Sequence, residues 1–502
     1  MTPTRFDFQI TLCLACAMPT MLGFSKHPRT AAAVVLVAVF MTNLDLLIVN
    51  VALPAIGETF SGGGRGATLG SLSWVLNAYA ITFAALLVVA GRAGDRIGQR
   101  PVFLTGIAVF TLGSLGCALA PNLGTLVVAR VVQAVGASAQ IPTSLALLLA
   151  TVPAERRTQA TRSWAAMGGL GAAAGPVAGG LLTEVDWRWV FAVNLPIGIA
   201  ALVAGRSVLP KPAAREAGPL PDLLGALLAV FSVTALSGAL VQAPDWGWTS
   251  GRIVLLLAVA VISGAAFVLR SLRHPHPLFE LDLLRLPRFG AANAGSLVFG
   301  VGFAIMLLSN VLWCQEVWHW SALRTGLALA PGPALVPVVT LLTSRAAQRF
   351  GHGPLIATGG LLFAGGMAWL ACSASVTPGY VRELLPSQLL TGAGAGLALG
   401  TLVAAGVHAV PGHRAATGSA LVNSVRQISI SVGVAVLVAV VGSHVGAASR
   451  HDFGIVWCTA AVLGLMTSAF GVHLSRGGGS GRTASTAPKE PEAHAQALAD
   501  PS

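Results

Sequence analysis

Long apolar runs recur along almost the whole chain, separated by short stretches rich in charge, glycine or proline. A helix needs roughly 20 apolar residues to cross the hydrocarbon core of a bilayer. Because 55% of the residues are hydrophobic and only 10% are charged, the sequence predicts an all-α polytopic membrane protein and excludes a water-soluble globular fold. We predict fourteen spans, at residues 31–54, 72–91, 101–120, 124–149, 163–183, 189–208, 222–242, 252–271, 289–312, 326–344, 355–375, 386–409, 422–442 and 453–474.

Arginine and lysine are distributed unequally between the two sets of loops. One set carries clusters, namely Arg92, Arg96 and Arg100; Arg156, Arg157 and Arg162; Arg206, Lys211 and Arg215; Arg270, Arg273, Arg285 and Arg288; Arg345 and Arg349; and Arg414. The other set carries single residues, namely Arg65, Arg188, Arg252, Arg324, Arg382 and Arg450. Since cytoplasmic loops retain basic residues, the clustered set and both termini are predicted to face the cytoplasm. We predict a multi-pass protein of the cell inner (plasma) membrane.

The net charge of +12 does not indicate a nucleic-acid partner. The arginines fall between apolar runs instead of forming one patch, so contact with lipid headgroups explains them better. We therefore predict the lipid bilayer as a partner and no nucleic acid.

The sequence repeats itself between its two halves. Gly91–Pro101 aligns with Ser344–Pro354, Thr105-Gly106 with Thr358-Gly359, Arg130–Ser138 with Gln388–Gly396, and Val152-Pro153 with Val410-Pro411. Both copies lie on the same predicted side, so the repeats are parallel about an axis along the membrane normal. We predict two six-helix bundles, at residues 31–208 and 289–475, with an inserted helix pair and linkers at residues 209–288.

The two ends of the chain lie outside these bundles. Residues 1–30 are predicted to form an N-terminal extension and residues 476–502 a disordered cytoplasmic tail. Two interpretations of the extension remain open. It is either a signal peptide with Ala15-Cys16-Ala17 as its cleavage site, or the product of an upstream start codon with Met21 as the true start.

Five sequence motifs follow one another between residues 44 and 198. Leu44–Pro54 reads LDLLIVNVALP, Gly91–Pro101 reads GRAGDRIGQRP, Arg130–Gly136 reads RVVQAVG, Gly171–Gly180 reads GAAAGPVAGG, and Trp187–Gly198 reads WRWVFAVNLPIG. In this order they resemble the motifs of the major facilitator superfamily, and the span count resembles its drug/proton antiporter branch. The similarity covers about Thr30 to Ser475 and implies the major facilitator fold and multidrug efflux by alternating access. Four residues depart from the family patterns: Leu47 for Thr, Ala93 for Leu, Gln99 for Arg and Ala134 for Gly.

An acid and a base lie deep within the predicted spans. Asp45 is about nine residues, or roughly 13 Å, from the outer end of the first span, and Arg130 is about six residues, or roughly 9 Å, into the fourth. Ionisable groups at such depth predict proton or cation handling. We predict that both face one central cavity, where Arg130 favours the charged carboxylate and desolvation favours the neutral acid. The alternatives are a structural hydrogen bond between Asp45 and a neighbouring polar group such as Asn50 or Asn77, and an Arg130 side chain that extends to the outer headgroups.

Glycine recurs every fourth residue in the fifth span. Gly171, Gly175 and Gly179 therefore line one helix face, where a neighbouring backbone can approach closely. Pro176 can kink the helix, and Gly180 completes the motif that the resemblance associates with export. We predict a tight, pivoting contact between the two bundles, with ordinary small-residue packing as the alternative.

The resemblance also implies a cytoplasmic gate in which charged pairs lock one conformation. The matching residues are Gly91, Gly94, Asp95, Arg96, Gly98 and Arg100. The alternative is that these arginines only set the topology. The second copy has Gln348 for Asp95 and Gln388 for Arg130, so ion chemistry is predicted in the first half and substrate binding in the second.

Five polar residues within or near the spans are candidates for the substrate cavity. They are Asn50, Gln133, Asn423, Arg426 and Gln427. The last three resemble an N-x-x-R-Q element of the branch. An arginine that extends to the headgroups is the alternative for Arg426.

No nucleotide-binding motif is present, because none of Lys26, Lys211 and Lys489 follows a phosphate-binding glycine pattern. Uphill transport must then draw on an ion gradient or a partner chain; we predict the proton gradient as the energy source, with no cofactor and no metal. The spans hold no cluster of His, Asp, Glu or Cys at ligand spacing, so we predict a transporter and no enzyme. We predict a monomer that exports lipophilic or cationic drugs, or a secondary metabolite, in exchange for protons. The alternatives are a proton-coupled symporter that imports a small nutrient, and a channel.

Overall fold

The structure is a computed structural model that describes residues 26–61, 68–210, 222–410, 415–442 and 450–476. Fourteen helices in these ranges are long and apolar enough to cross a membrane, judged by length and composition. This finding confirms the predicted span count. The two interpretations of the N-terminal extension and the predicted disordered tail concern residues that lie outside the described ranges.

The first six spanning helices are α1 (Lys26–Ser61), α2 (Leu69–Ile97), α3 (Gln99–Ala118), α4 (Leu123–Thr151), α5 (Arg157–Val185) and α6 (Trp189–Val208). The others are α7 (Leu223–Trp246), α8 (Gly251–Arg273), α9 (Pro287–Val317), α10 (Ala322–Leu342), α11 (His352–Ser373), α12 (Leu384–His408), α13 (Ala415–Val441) and α14 (Arg450–Arg476). Regular α-helix is interrupted at Val193 in α6 and at Ala330 in α10, and α9 ends in a π-helical turn.

Several helices are longer than the spans predicted for them. The predicted first span ends at Pro54, whereas α1 continues to Ser61 with Pro54 inside it. Hydropathy marks only the apolar part of a helix, and backbone hydrogen bonding continues through the polar residues beyond it. The predicted ends of the spans were therefore too short here, although the order of the spans was correct.

Side-chain caps and glycine turns define the helix ends. Asn122 forms a capping box with Thr125 at the start of α4, where Thr125 N donates to Asn122 Oδ1 over 2.9 Å. Gly98 joins α2 to α3 with a φ of 112°, a conformation that favours glycine. Gly351 has a φ of 80° at the aligned position before α11. The two halves therefore use the same turn.

The internal repeat also appears in the helix packing. A Cβ added to Gly136 in α4 would lie 2.6 Å from Gly106 O in α3. A Cβ added to Gly394 in α12 would likewise lie 2.6 Å from Gly359 O in α11. These four residues occupy aligned positions, so the α3–α4 and α11–α12 pairs pack in the same way.

This equivalence predicts matched effects on stability. We expect Gly136→Ala and Gly394→Ala to lower the unfolding temperature of the detergent-purified protein by similar amounts, because each methyl group overpacks a backbone contact at a cost of ~1–3 kcal/mol. Gly365→Ala is the control, since nothing lies within 4 Å of a Cβ at Gly365. A lower unfolding temperature in only one of the two variants would show that the two repeats are packed differently.

The helices group by their contacts. Helices α1 to α6 pack mainly on one another, as do α9 to α14, while α7 of the inserted pair packs against α2 and α13 and α8 packs on α7. Ser424 Oγ of α13 donates to Ala84 O of α2 over 3.0 Å, and Ser237 Oγ of α7 lies 3.1 Å from Ser431 Oγ of α13. The inserted pair thus covers the seam at which α2 meets α13. We call α1–α6 the first half and α9–α14 the second half; the domain boundaries stay predictions.

Asp222 fixes the start of the inserted pair. Its Oδ1 accepts hydrogen bonds from Gly225 N over 2.9 Å and from Arg270 Nε of α8 over 2.8 Å. Burial alone would raise the pKa of Asp222, but the Gly225 N–H and the Arg270 guanidinium outweigh it and hold that pKa below its usual value. This contact lies at the end of the bundle that carries the clustered arginines, which we call the arginine-rich end.

Candidate functional site

Asp45 of α1 and Arg130 of α4 form a buried ion pair. Arg130 Nη1 lies 2.6 Å from Asp45 Oδ2. The Asp45 residue is 0% exposed and Arg130 is 1% exposed. The structure therefore brings together the two residues that their depth in the spans singled out.

The carboxylate of Asp45 is held by two further donors. Gln133 Nε2 of α4 donates to Asp45 Oδ1 over 2.8 Å, and Asn194 Nδ2 of α6 donates to the same oxygen over 3.1 Å. Gln133 Nε2 also donates to Ser114 Oγ of α3 over 2.7 Å. Donors from Arg130, Gln133 and Asn194 therefore converge on the two oxygens of this carboxylate.

Arg130 has partners on several sides of its guanidinium. Its Nε donates to Val75 O over 3.1 Å, and its Nη1 also donates to Gln133 Oε1 over 2.6 Å. The Tyr79 ring lies 4.1 Å from Arg130 Cζ, at cation–π distance. The Tyr79 hydroxyl is buried and has no hydrogen-bond partner. A polar atom is thus available beside the pair.

Asp45 bonds to neither Asn50 nor Asn77; the polar groups that donate to it besides Arg130 are Gln133 and Asn194. Asn50 donates to Leu46 O and Leu47 O of its own helix, over 3.3 and 3.4 Å. The side-chain atoms of Asn77 are buried without a partner, and Arg130 points inward instead of toward the headgroups.

The prediction that the pair faces a central cavity between the halves does not hold in this conformation. Both side chains are sealed from solvent, and every partner described above lies in α1, α2, α3, α4 or α6. Helix spacing gives the depth of a residue but not the neighbour that its side chain meets. The site is therefore internal to the first half.

Three glycines of the motif in α5 face α1. A Cβ at Gly171 would lie 2.5 Å from Phe40 O, and one at Gly179 would lie 2.7 Å from Ile48 O. Gly175 lies between them and would place its Cβ 2.8 Å from Leu47 Cβ. This face is therefore a tight contact within the first half, so the predicted contact between bundles does not involve these three glycines.

The other face of the motif meets the second half. A Cβ at Gly180 would lie 2.6 Å from Ala322 O of α10, and a Cβ at Gly326 of α10 would collide with Pro176 O. Pro176 and Gly180 are four residues apart and share this face. The predicted contact between bundles is thus present at these two residues, at the end opposite to the arginine-rich end.

Two hydrogen bonds accompany this contact between the halves. Leu323 N at the start of α10 donates to Glu184 Oε1 of α5 over 3.1 Å. Gln315 Nε2 of α9 donates to Val51 O of α1 over 3.0 Å. We call the contacts of Pro176, Gly180, Ala322 and Gly326, with these two bonds, the outer seal.

The glycines of the predicted gate motif pack α2 against α4. A Cβ at Gly91 would lie 3.6 Å from Pro142 Cβ, and a Cβ at Gly94 would lie 3.0 Å from Thr143 Cγ2. Gly98 forms the turn into α3. The glycine positions of this motif therefore have a structural explanation.

The charged residues of the motif lie at the arginine-rich end. Asp95 Oδ1 accepts a hydrogen bond from Gln99 Nε2 over 2.9 Å, Arg96 is exposed, and Arg100 Nη2 donates to Arg206 O of α6. Arg92 reaches beyond the first half, because it donates to His276 O and Pro277 O over 3.1 and 2.7 Å. These two carbonyls follow the inserted pair. The gating role of the motif stays a prediction.

Of the predicted substrate residues, Gln133 belongs to the ion-pair site. In α13, Asn423 Nδ2 donates to Ser419 O over 2.9 Å. Gln427 is buried, and its Oε1 has no hydrogen-bond partner. Arg426 is partly buried.

Comparison with known proteins agrees with this architecture. The sequence profile of the Major Facilitator Superfamily matches residues 35–434. The chain belongs to the major facilitator superfamily. Membership of this family makes the chain a transporter and confirms the resemblance drawn from the motifs.

The relatives of this major facilitator are named for resistance and export. It is 34% identical over 402 residues to the methylenomycin A resistance protein of Streptomyces coelicolor, covering 79% of this chain and 82% of that protein. It is 33% identical over 428 residues to the tetracenomycin C resistance and export protein of Streptomyces glaucescens, covering 84% and 78%. A solved peptide transporter matches with a TM-score of 0.67 at 15% identity, covering 92% of this chain and 99% of that one, which shows the fold alone. The names agree with the predicted efflux function.

Three residues of the ion-pair site in this major facilitator were not among the predicted site residues. They are Tyr79, Ser114 and Asn194. Asn194 lies inside the Trp187–Gly198 motif, and Tyr79 is one of only two tyrosines in the chain. The sequence therefore gave a weak indication that each belongs to a functional site. Ser114 had none, because a serine in an apolar helix usually bonds to its own backbone, as its bond of 2.9 Å to Phe110 O shows.

Proposed function

We propose that this transporter exports lipophilic antibiotic-like compounds in exchange for protons, and that Asp45 carries the proton. The observation that supports this proposal is the buried Asp45–Arg130 pair, because ionisable groups within spans are costly to bury and often mark proton or ion pathways. The relatives named for resistance and export support the direction of transport.

Proton loading changes the contacts between helices. When Asp45 is charged, it connects α1 to α4 through Arg130 and to α6 through Asn194. A neutral carboxyl group no longer balances the charge of Arg130, so the α1–α4 connection weakens. Protonation thus favours a different placement of α1.

The packing of α5 supplies a route from the proton site to the outer seal. The α1 residues next to Asp45, Leu44 and Leu47, touch Gly171 and Gly175 of α5. The opposite face of α5 carries the outer seal against α10. A shift of α1 therefore moves the helix that closes the outer end, which couples protonation to the direction the transporter faces. The coupling is indirect, since Asp45 itself is sealed from the space between the halves.

The remaining parts of the proposal concern orientation and assembly. The arginine-rich end and both termini face the cytoplasm, as expected from the distribution of basic residues. The transporter acts as a monomer in the plasma membrane and needs no cofactor beyond the proton gradient.

The experiment is drug susceptibility of a pump-depleted host that expresses the chain, followed by transport in everted membrane vesicles. We expect resistance to compounds such as methylenomycin A or tetracenomycin C, and vesicle accumulation that stops when an uncoupler collapses the proton gradient. Saturable transport would distinguish a carrier from a channel. Proton-driven movement in the import direction would show a symporter and contradict the proposal.

A further inference from the structure

Arg426 is a positive charge inside a spanning helix without a partner. It lies about five residues, or roughly 8 Å, from Leu421, where the apolar span within α13 begins. No described residue accepts a hydrogen bond from its guanidinium, forms an ion pair with it, or places a ring against it. Its side chain is only partly buried, so its donors are open to solvent or to a ligand.

The contrast with Arg130 shows that this is not the usual state of a deep arginine in this chain. Arg130 is fully buried, and its charge is balanced by Asp45. A guanidinium carries five N–H donors and stays charged in proteins. An unbalanced cation within a span is unfavourable, so its presence suggests a partner from outside the chain.

No acid in the second half can supply that partner. Residues 289–475 contain only the acids Glu316, Glu383 and Asp452. Glu316 ends α9, Glu383 precedes α12, and Asp452 starts α14, so all three lie at the end opposite to the arginine-rich end. Arg426 lies nearer the arginine-rich end of α13, roughly 20 Å along the bundle from these acids.

Polar atoms near Arg426 also lack partners. Helix α9 runs alongside α13, and a Cβ at Gly300 would lie 3.7 Å from Arg426 O. Ser296 Oγ, about one turn before Gly300, is buried without a hydrogen-bond partner, and so is Gln427 Oε1. A cation and two unsatisfied polar atoms thus occur in one layer of the second half.

We infer that Arg426 binds an anionic oxygen group of the transported compound, such as a carboxylate or a phenolate. The planar guanidinium matches a carboxylate in a bidentate arrangement, and such a contact is strong where water is scarce. The inference rests on the proposed export function and specifies its substrate class as acidic, in contrast to the cationic class considered from the sequence.

The test uses a matched pair of fluorescent probes, dansylglycine and dansylglycinamide, which differ only in the carboxylate. Binding is measured by fluorescence titration of the full chain purified in detergent, without added phospholipid. We expect the wild type to prefer the acid, and Arg426→Gln to weaken acid binding by about tenfold or more while changing amide binding less than about twofold. Arg426→Lys, which keeps the charge but loses the planar fork, is expected to give an intermediate affinity.

Arg252→Gln is the matched control, because it removes one cation from α8, outside both halves. Its acid binding is expected to equal that of the wild type, and unfolding temperatures establish that each variant is folded. Equal binding of acid and amide by the wild type, or unchanged acid binding in Arg426→Gln, would overturn the inference. Vesicle export by the wild type is measured separately, so that loss of the export function and loss of the Arg426 site are distinguished.

Discussion

The Asp45→Asn variant is expected to lose proton-driven export by at least about a hundredfold, the lower end of what removal of a proton-transferring side chain costs. Asparagine is neutral and cannot exchange a proton near neutral pH, so the α1–α4 connection stays weak and no longer changes with proton binding. The measurement is the initial rate of uncoupler-sensitive transport in everted vesicles, normalised to the amount of folded protein. Exchange of substrate without net flux should persist.

This substitution also leaves Arg130 buried without a counter-charge, at a cost of about 3–5 kcal/mol. A loss of export could then reflect unfolding. The double variant Asp45→Asn/Arg130→Gln removes both charges, so we expect it to recover most of the unfolding temperature and none of the proton-driven export. Asp186→Asn is the matched control, since Asp186 is exposed and lies 3.6 Å from Arg188.

Two outcomes would contradict the proton-carrying role of Asp45. The first is normal gradient-driven export by Asp45→Asn. The second is recovery of both stability and export by the double variant, which would show that the pair is only structural.

The Gly326→Val variant is expected to open the outer seal and to stop export. Even a Cβ at this position collides with Pro176 O, so the branched side chain forces α10 away from α5. Because an exporter must close this end to load its cargo from the cytoplasmic end, a seal that cannot form stops the cycle. We expect export to fall by about tenfold or more, equal to a shift of at least ~1.4 kcal/mol in the conformational equilibrium.

Accessibility of the outer seal gives an independent measurement. A Thr183→Cys substitution places a thiol in α5 close to the seal, in a background whose other cysteines are replaced by serine. Gly326→Val should raise the rate of labelling by a membrane-impermeant maleimide by about tenfold. Gly365→Val is the control, because that position faces open space on α11. Unchanged labelling together with unchanged export would show that the seal is not part of the transport cycle.

Much of the fold follows from the sequence, because the bilayer imposes helices of a minimum apolar length. The internal repeat can also be recognised in the sequence. Gly106 and Gly359 make equivalent contacts in the two halves, as their alignment predicts. The pairing of Asp45 with Arg130 could be inferred from depth alone, since two opposite charges at similar depth lower their cost by meeting.

What the sequence could not supply is the neighbour of each helix face. The motif in α5 is continuous in the sequence, yet its two faces meet different helices. Gly171 contacts α1 and Gly180 contacts α10. The same limit applies to Arg426, because the lack of a counter-charge depends on how all the helices are arranged. The prediction of a cavity at Asp45 failed for this reason as well.

The position of the inserted pair has a consequence for how cargo reaches the carrier. Helix α7 closes the α2–α13 seam, and α8 turns apolar side chains such as Val254, Leu255 and Ile262 outward. A compound dissolved in the membrane therefore finds no lateral entrance on that flank.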